Sequence, residues 1–261
     1  MSRTTVRAVE AVLLTMAATG ALWATGSTAS QEFRHSYALT PSGRVVIENL
    51  YGDVAISAWD RDEVRIEATK SASDARRLEE ARIVVDSTSD SLSIRTQYAG
   101  GDAEHPASVE YRITVPRKAN LDGVKLVNGE LSIRGLAGAV RATSVNGNIK
   151  AEKLEGTADL STVNGQVDAN FHRISPEKPI SLRSVNGPIV LSIPPDSGAQ
   201  LIAQNRSGGI QTDFSDPEVE PGGHRVRAIL KGGGTQIDLQ NVNGGISIHS
   251  VWSRRHERPG L

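Results

Sequence analysis

The 261-residue chain has no cysteine. Disulfides, thiolate zinc sites and thiol nucleophiles are thereby excluded. Aromatic residues are scarce, 4% of the sequence, so any core must be built from small and branched aliphatic side chains. Neither sign of charge dominates: 29 Lys and Arg face 30 Asp and Glu, a formal net of −1. That balance gives no bulk electrostatic attraction to nucleic acid or to an acidic membrane surface. A hydrophobic share of 38% is too high for disorder and too low for a bundle of membrane spans.

One apolar run stands near the start. Arg3 and Arg7 precede the stretch Ala11 to Ala24, and Ser27-Thr28-Ala29 offers small residues at the cleavage positions. This is the pattern of a secretory signal peptide over residues 1–29. The stretch falls short of the roughly 20 residues that cross a bilayer, so an uncleaved anchor is the alternative, and the membrane is a partner only in that case. With no cysteine after it, a lipid anchor is excluded. The expected mature chain carries 27 basic and 29 acidic residues. It is exported, to the periplasm or cell surface, and its stability must come from packing and backbone pairing.

The middle of the chain is repetitive, and the repeat indicates the fold. Val-Asn-Gly occurs at residues 127–129, 145–147, 163–165, 185–187 and 242–244, with a degenerate Ser207-Gly208-Gly209, and the first three copies are 18 residues apart. Two residues past each Gly lies an aliphatic column, Leu131, Ile149, Val167, Ile189, Ile210 and Ile246; four past lie Ile133, Ala151, Ala169, Leu191 and Ile248. Period two means strands, not helix. Each unit halves again, because Leu136-x-Gly138-x-Val140-x-Ala142 and Leu154-x-Gly156-x-Ala158-x-Leu160 repeat the pattern nine residues on. A glycine turn plus a short strand, twice per 18 residues, predicts a parallel β-solenoid (β-helix) with two facing sheets. By this alternation Val163 and Ile149 both point inward, so an Asp at either position would unfold the protein.

Stacking in register brings residues 18 apart to about 4.8 Å. Arg134 then faces Glu152, Lys150 faces Asp168, and Arg141 faces Asp159, three opposite-charge pairs. Asn128, Asn146, Asn164, Asn186 and Asn243 form a second column, a candidate structural ladder in which carboxamides bond along the stack. Asn-Gly as plain turn chemistry explains each copy alone. The constant spacing argues for the ladder.

Strand alternation also marks Arg44–Asn49, Val54–Trp59, Val64–Thr69, Ile83–Asp86, Leu92–Thr96, Val109–Val115 and Arg225–Leu230, and Asp74–Ala81 is one short helix. The segment Asn49–Ile56 already carries Gly-x-Val-x-Ile, so the solenoid starts there, with the helix and its neighbouring strands as a cap over the first edge. The expected division is a single domain over 30–252, with N-terminal coils and cap at 42–126 and repeat coils at 127–249. A basic tail follows at 253–261.

Gly52-Asp53-Val54, Trp59-Asp60, the strand Val109–Val115 ending at Pro116, and the train of Asn-Gly-x-aliphatic coils together resemble the bacterial family of β-strand-repeat presumed adhesins. That domain of unknown function is related to the head GIN adhesin domains. The resemblance spans roughly Ser42 to His249 and implies an exported, right-handed β-helical protein. The family has no catalytic residue set to carry over.

A search for chemistry leaves little. Calcium-binding nonapeptide rolls need an Asp column where this chain has Leu131, Ile149 and Val167, and the lone Gly232–Asp238 unit cannot complete an oxygen cage. Left-handed hexapeptide helices repeat at six, not nine. The six His show no ligand spacing, and neither a nucleophile elbow nor a P-loop occurs. Carbohydrate-active solenoids need clustered carboxylates; here each outward acid of the coils has a base beside it, and only the loop Asp213–Glu220 gathers several. No cofactor, metal or catalytic residue is expected. The insertions His172–Pro179 and Pro194–Gly198 bulge from the coils, as length variations or as binding loops. The leading expectation is a non-enzymatic, adhesin-like binding or scaffold protein of the cell envelope, with an envelope glycan or a protein as partner and no nucleic acid. The alternatives are an accessory regulator of an envelope stress system and a polysaccharide-acting enzyme.

Overall fold

A computed structural model describes residues 29–99, 107–214, 218–219 and 223–251. The signal segment, save Ala29, and the basic tail lie outside the described residues. Among those residues, no helix is long and apolar enough to cross a membrane.

The N-terminal part contains β1 (Ala29–Ala38), β2 (Arg44–Tyr51), β3 (Val54–Trp59), β4 (Glu63–Ala72), α1 (Ala75–Glu80), β5 (Ala81–Ser87), β6 (Ser91–Tyr98) and β7 (Ser108–Pro116). The repeat region supplies β8 (Asn120–Asn128), β9 (Leu131–Arg134), β10 (Val140–Asn146), β11 (Ile149–Leu154), β12 (Ala158–Asn164), β13 (Val167–Phe171), β14 (Ile180–Asn186) and β15 (Ile189–Ile193). The C-terminal part adds β16 (Ala199–Ser207), β17 (Ile210–Thr212), β18 (Glu218–Val219), β19 (Arg225–Leu230), β20 (Thr235–Asn243) and β21 (Ile246–Ser250).

Successive repeat strands alternate between two sheets. The first, sheet A, runs β1-β4-β7-β3-β9-β11-β13-β15-β21-β17; the second, sheet B, runs β18-β19-β16-β20-β14-β12-β10-β8-β2-β6-β5. Pairing within the stack is parallel, with Ile149 opposite Leu131 and Val167 in sheet A and Ala142 opposite Leu160 in sheet B. One continuous cluster of buried aliphatics, from Leu39 to Ile248, fills the space between the sheets. Its column members Leu131, Ile149, Val167, Ile189 and Ile246 are buried, whereas Ile210 on the outermost strand is half-buried.

Chain order and stacking order differ at both ends. The rung β6–β7 lies outside β2–β3, and the chain then crosses back to place β8–β9 on the other side. At the far end β16–β17 is laid down first as the outer rung, and β20–β21 slips in between it and β14–β15. The degenerate copy Ser207-Gly208-Gly209 therefore occupies the last rung, and Asn186 stacks on Asn243. Antiparallel strands finish the edges: β4 and β1 beyond β7, β5 beyond β6, and β19 and β18 beyond β16. The cap thus includes β1, a strand the sequence pattern did not mark. The helix forms where expected, with the Asp74 carboxylate accepting from the Arg77 amide at 2.9 Å and Leu78 buried.

The corner glycines fix the rung spacing. A Cβ on Gly165 would lie 2.3 Å from the Gly147 carbonyl oxygen, and one on Gly187 would lie 2.1 Å from that of Gly165. Gly165 and Gly187 also have positive φ, 155° and 143°, the region that favours glycine. This corner overturns one expectation. Because the chain turns at the Gly, strand parity is not carried across it. Ser144, Thr162 and Ser184 face inward, and Val145, Val163 and Val185 face solvent, each about 40% exposed. Ile149 is fully buried as expected, but Val163 is an outer residue.

Candidate functional site

The five asparagines stack along the corner of sheet B as a hydrogen-bonded ladder. Asn146 Nδ2 donates to Asn128 Oδ1 at 2.9 Å, Asn164 to Asn146 at 2.8 Å, Asn186 to Asn164 at 2.9 Å, and Asn243 to Asn186 at 2.9 Å. Beside them runs a second exposed row, Leu50, Val127, Val145, Val163, Val185 and Val242. Together they make an uncharged strip whose asparagine row extends about 19 Å, four strand spacings of about 4.8 Å.

Beneath the strip lies a column missed at the sequence level. Buried Thr162 and Ser184 donate to the Gly147 and Gly165 carbonyls, each at 3.0 Å, and buried Asn241 and Asn205 donate to the Gly187 and Gly244 carbonyls at 3.0 and 2.7 Å. Asn49 holds the Val109 carbonyl at 2.8 Å in the same way. Each bond satisfies a turn carbonyl that the strand ladder leaves over. A Ser, Thr or Asn two residues before each ladder Asn was the available signal.

The charged pairs follow the register with one change. Arg134 Nε donates to Glu152 at 2.9 Å, and Arg141 lies 3.7 Å from Asp159, which also takes Arg183 at 2.9 Å. Lys150 stands opposite Asp168 in the ladder but pairs with Glu152 at 3.0 Å. The Arg134 hydrogen bond, with that of Lys150, holds the Glu152 carboxyl below its ordinary pKa. Partial burial pushes the Asp168 carboxyl up, and the charge of Glu152 adds to the rise. Lys150 draws to Glu152 because that carboxylate already carries the lower pKa of the two.

The acidic loop is drawn into the fold. Asp213 bonds His249 Nδ1 at 3.0 Å, and the backbone of Glu218–Val219 pairs with β19, while Asp216 and Glu220 lie outside the described residues. The insertion His172–Pro179 is clipped to its coil by Lys178 Nζ, which donates to the Glu155 carbonyl at 3.1 Å, and by Ile174 against the core. Among the described residues, no group of three or more His, Asp or Glu is placed to hold a metal.

The strip runs into a groove of about 520 Å³ on the outer face of sheet B. Arg183 and Val185 come from β14, Gln240 and Val242 from β20, Gln204 and Arg206 from β16, and His224 and Arg225 from the start of β19. No carboxylate lines it. These residues stand far apart in sequence and meet because β20 is inserted between β14 and β16.

The sequence profile of the Toastrack DUF4097 family matches residues 47–249. The chain belongs to the Toastrack DUF4097 family. That span runs from the first rung, at Ile47, to β21 and takes in the ladder, the strip and the groove. Among solved structures, a presumed cell-adhesion protein of Clostridium sporogenes aligns over 85% of this chain and 100% of its own, with 11% identity and a TM-score of 0.49. A presumed adhesin of Bacteroides fragilis aligns over 85% and 97%, with 9% identity and a TM-score of 0.41. No curated protein sequence matches.

Proposed function

We propose that this Toastrack protein is an exported, non-enzymatic, adhesin-like binding or scaffold protein of the cell envelope, at the periplasm or cell surface, built as a right-handed solenoid of about 18 residues per coil. The observation that carries the reading is the uncharged Val–Asn strip leading into a carboxylate-free groove. Solvent-facing aliphatics in register on a stiff scaffold are a surface for contact, and such a surface gains affinity by being ordered before its partner arrives. The pairing of Glu152 with Arg134 and Lys150, and of Asp159 with Arg141 and Arg183, supports a structural role for these carboxylates over an acid–base one. The partner is an envelope glycan or an envelope protein.

The test is incubation of the purified protein with envelope polysaccharide and envelope protein fractions, scoring retention and the release of soluble sugar ends. Retention without release is the expected result. Release of sugar ends would overturn the non-enzymatic reading, and retention on neither fraction would overturn the binding one.

A further inference from the structure

The groove at the end of the strip has the lining of a site for a specific chemical class. Across four adjacent strands, register places Arg183, Gln240, Gln204 and Arg225 in one row, and Val185, Val242 and Arg206 in the row beside it. Gln240, Arg183 and Arg206 are exposed and Gln204 is half-buried. Three guanidinium groups and His224 line the groove without a carboxylate among them; Asp159, which takes Arg183 at 2.9 Å, sits outside.

Each component matches one feature of an acidic sugar chain. Guanidinium is a planar fork that takes carboxylate through two parallel hydrogen bonds. The two glutamines each offer both donors and acceptors, as sugar hydroxyls require. The valines give apolar contact for the C–H face of a ring. Strands repeat every 4.8 Å or so, close to the advance of one sugar ring in an extended chain, so successive rings lie over successive strands. An acidic peptide would meet the arginines equally well but has no use for a paired carboxamide row between them.

We propose that this groove binds an anionic, carboxylate-bearing oligosaccharide whose chain runs across the strands, along the stacking direction, its carboxylates on Arg183, Arg206 and Arg225 and its hydroxyls on Gln204 and Gln240. This rests on the binding-module reading above and names its ligand class.

The experiment titrates the purified protein with tetragalacturonate, with its methyl ester, and with a tetraglutamate peptide, by calorimetry at fixed ionic strength. Saturable binding of the acid is expected, weakened about tenfold or more by esterification and by Arg206→Glu, with the peptide at least about tenfold weaker than the sugar. Gln240→Ala should weaken the sugar by a few-fold while leaving the peptide unchanged. Equal affinity for acid and ester, equal affinity for sugar and peptide, or no binding of the acid at millimolar concentration would overturn the assignment. Unfolding curves accompany each variant; if Arg206→Glu disturbs the fold, Arg206→Gln carries the same prediction. Retention of Arg206→Glu protein on envelope polysaccharide at the wild-type level would sink the groove assignment and leave the binding module standing. Loss of retention for the wild type would sink the module itself.

Discussion

Gly147→Ala tests whether close rung stacking at the corner holds the solenoid together. A Cβ at this position would lie 1.9 Å from the Gly129 carbonyl oxygen, and real Cβ contacts do not fall below 3.0 Å. The two rungs must therefore part by about 1.1 Å at the corner. Gly147 does not have positive φ, so the effect is one of space, not of backbone conformation. Two hydrogen bonds cross that junction, Gly129 N to the Asn146 carbonyl at 3.1 Å and Asn146 Nδ2 to Asn128 Oδ1 at 2.9 Å. Lengthened by that much, both pass out of bonding range. At about 1 kcal/mol net for each, and with the neighbouring Leu131–Asn148 bond strained, the loss is about 2–4 kcal/mol. Stiffening of the unfolded chain returns about 0.4–1 kcal/mol. The net is about 2–3 kcal/mol, and at about 2–4 °C per kcal/mol for a domain of this size the Tm falls by about 5–12 °C. Gly209→Ala is the control, because a Cβ there meets nothing within 4 Å. Thermal and urea unfolding of the two variants beside the wild type reads the difference. If Gly147→Ala unfolds with Gly209→Ala, within about 0.5 kcal/mol, the close approach of the rungs does not limit stability and the reasoning fails.

Three further outcomes are expected. Ile149→Asp, which buries a charge between the sheets, abolishes cooperative unfolding, whereas Val163→Asp, on the exposed row, changes stability by no more than about 0.5 kcal/mol; circular dichroism melts separate the two. Asn164→Ala breaks two ladder bonds and Asn128→Ala breaks one, so the inner substitution should cost about twice as much in urea unfolding, on the order of 2 kcal/mol against 1. Asp168 and Glu152 should respond oppositely to pH. A raised folded pKa makes the Asp168 charge costly above that value and neutral in effect below the unfolded one, so Asp168→Asn raises Tm at pH 7 and not at about pH 3. The depressed pKa of Glu152 contributes stability above its unfolded value that is lost as pH falls through the folded one, so Glu152→Gln lowers Tm at pH 7 with the effect fading in acid.

The legible part of the fold was whatever the repeat wrote several times over. Five Val-Asn-Gly copies at near-constant spacing defined the strands, the register and the asparagine ladder, because a stacked structure demands the same residue type at the same place in every rung. Val163 was misplaced for a physical reason: alternation counted through a corner glycine assumes a straight strand, and Gly165 turns the chain. The buried hydroxyl and amide column was visible as Ser, Thr or Asn two residues before each ladder asparagine, but only the turn carbonyls show why it is polar. Lys150 illustrates a different limit, since register set it opposite Asp168 and local electrostatics gave it to Glu152.

By itself, then, the sequence determined the all-β repeat, its aliphatic core and the ladder, all consequences of local periodicity. Tertiary structure alone decided the order of the rungs. Nothing local distinguishes β16–β17 from β20–β21 as neighbour of β14–β15, since both present the same inward columns, and the choice rests on long-range pairing with β19 across an outer edge that must be closed. That choice brings Arg183, Gln240, Gln204 and Arg225 into one row, and the groove exists only because of it.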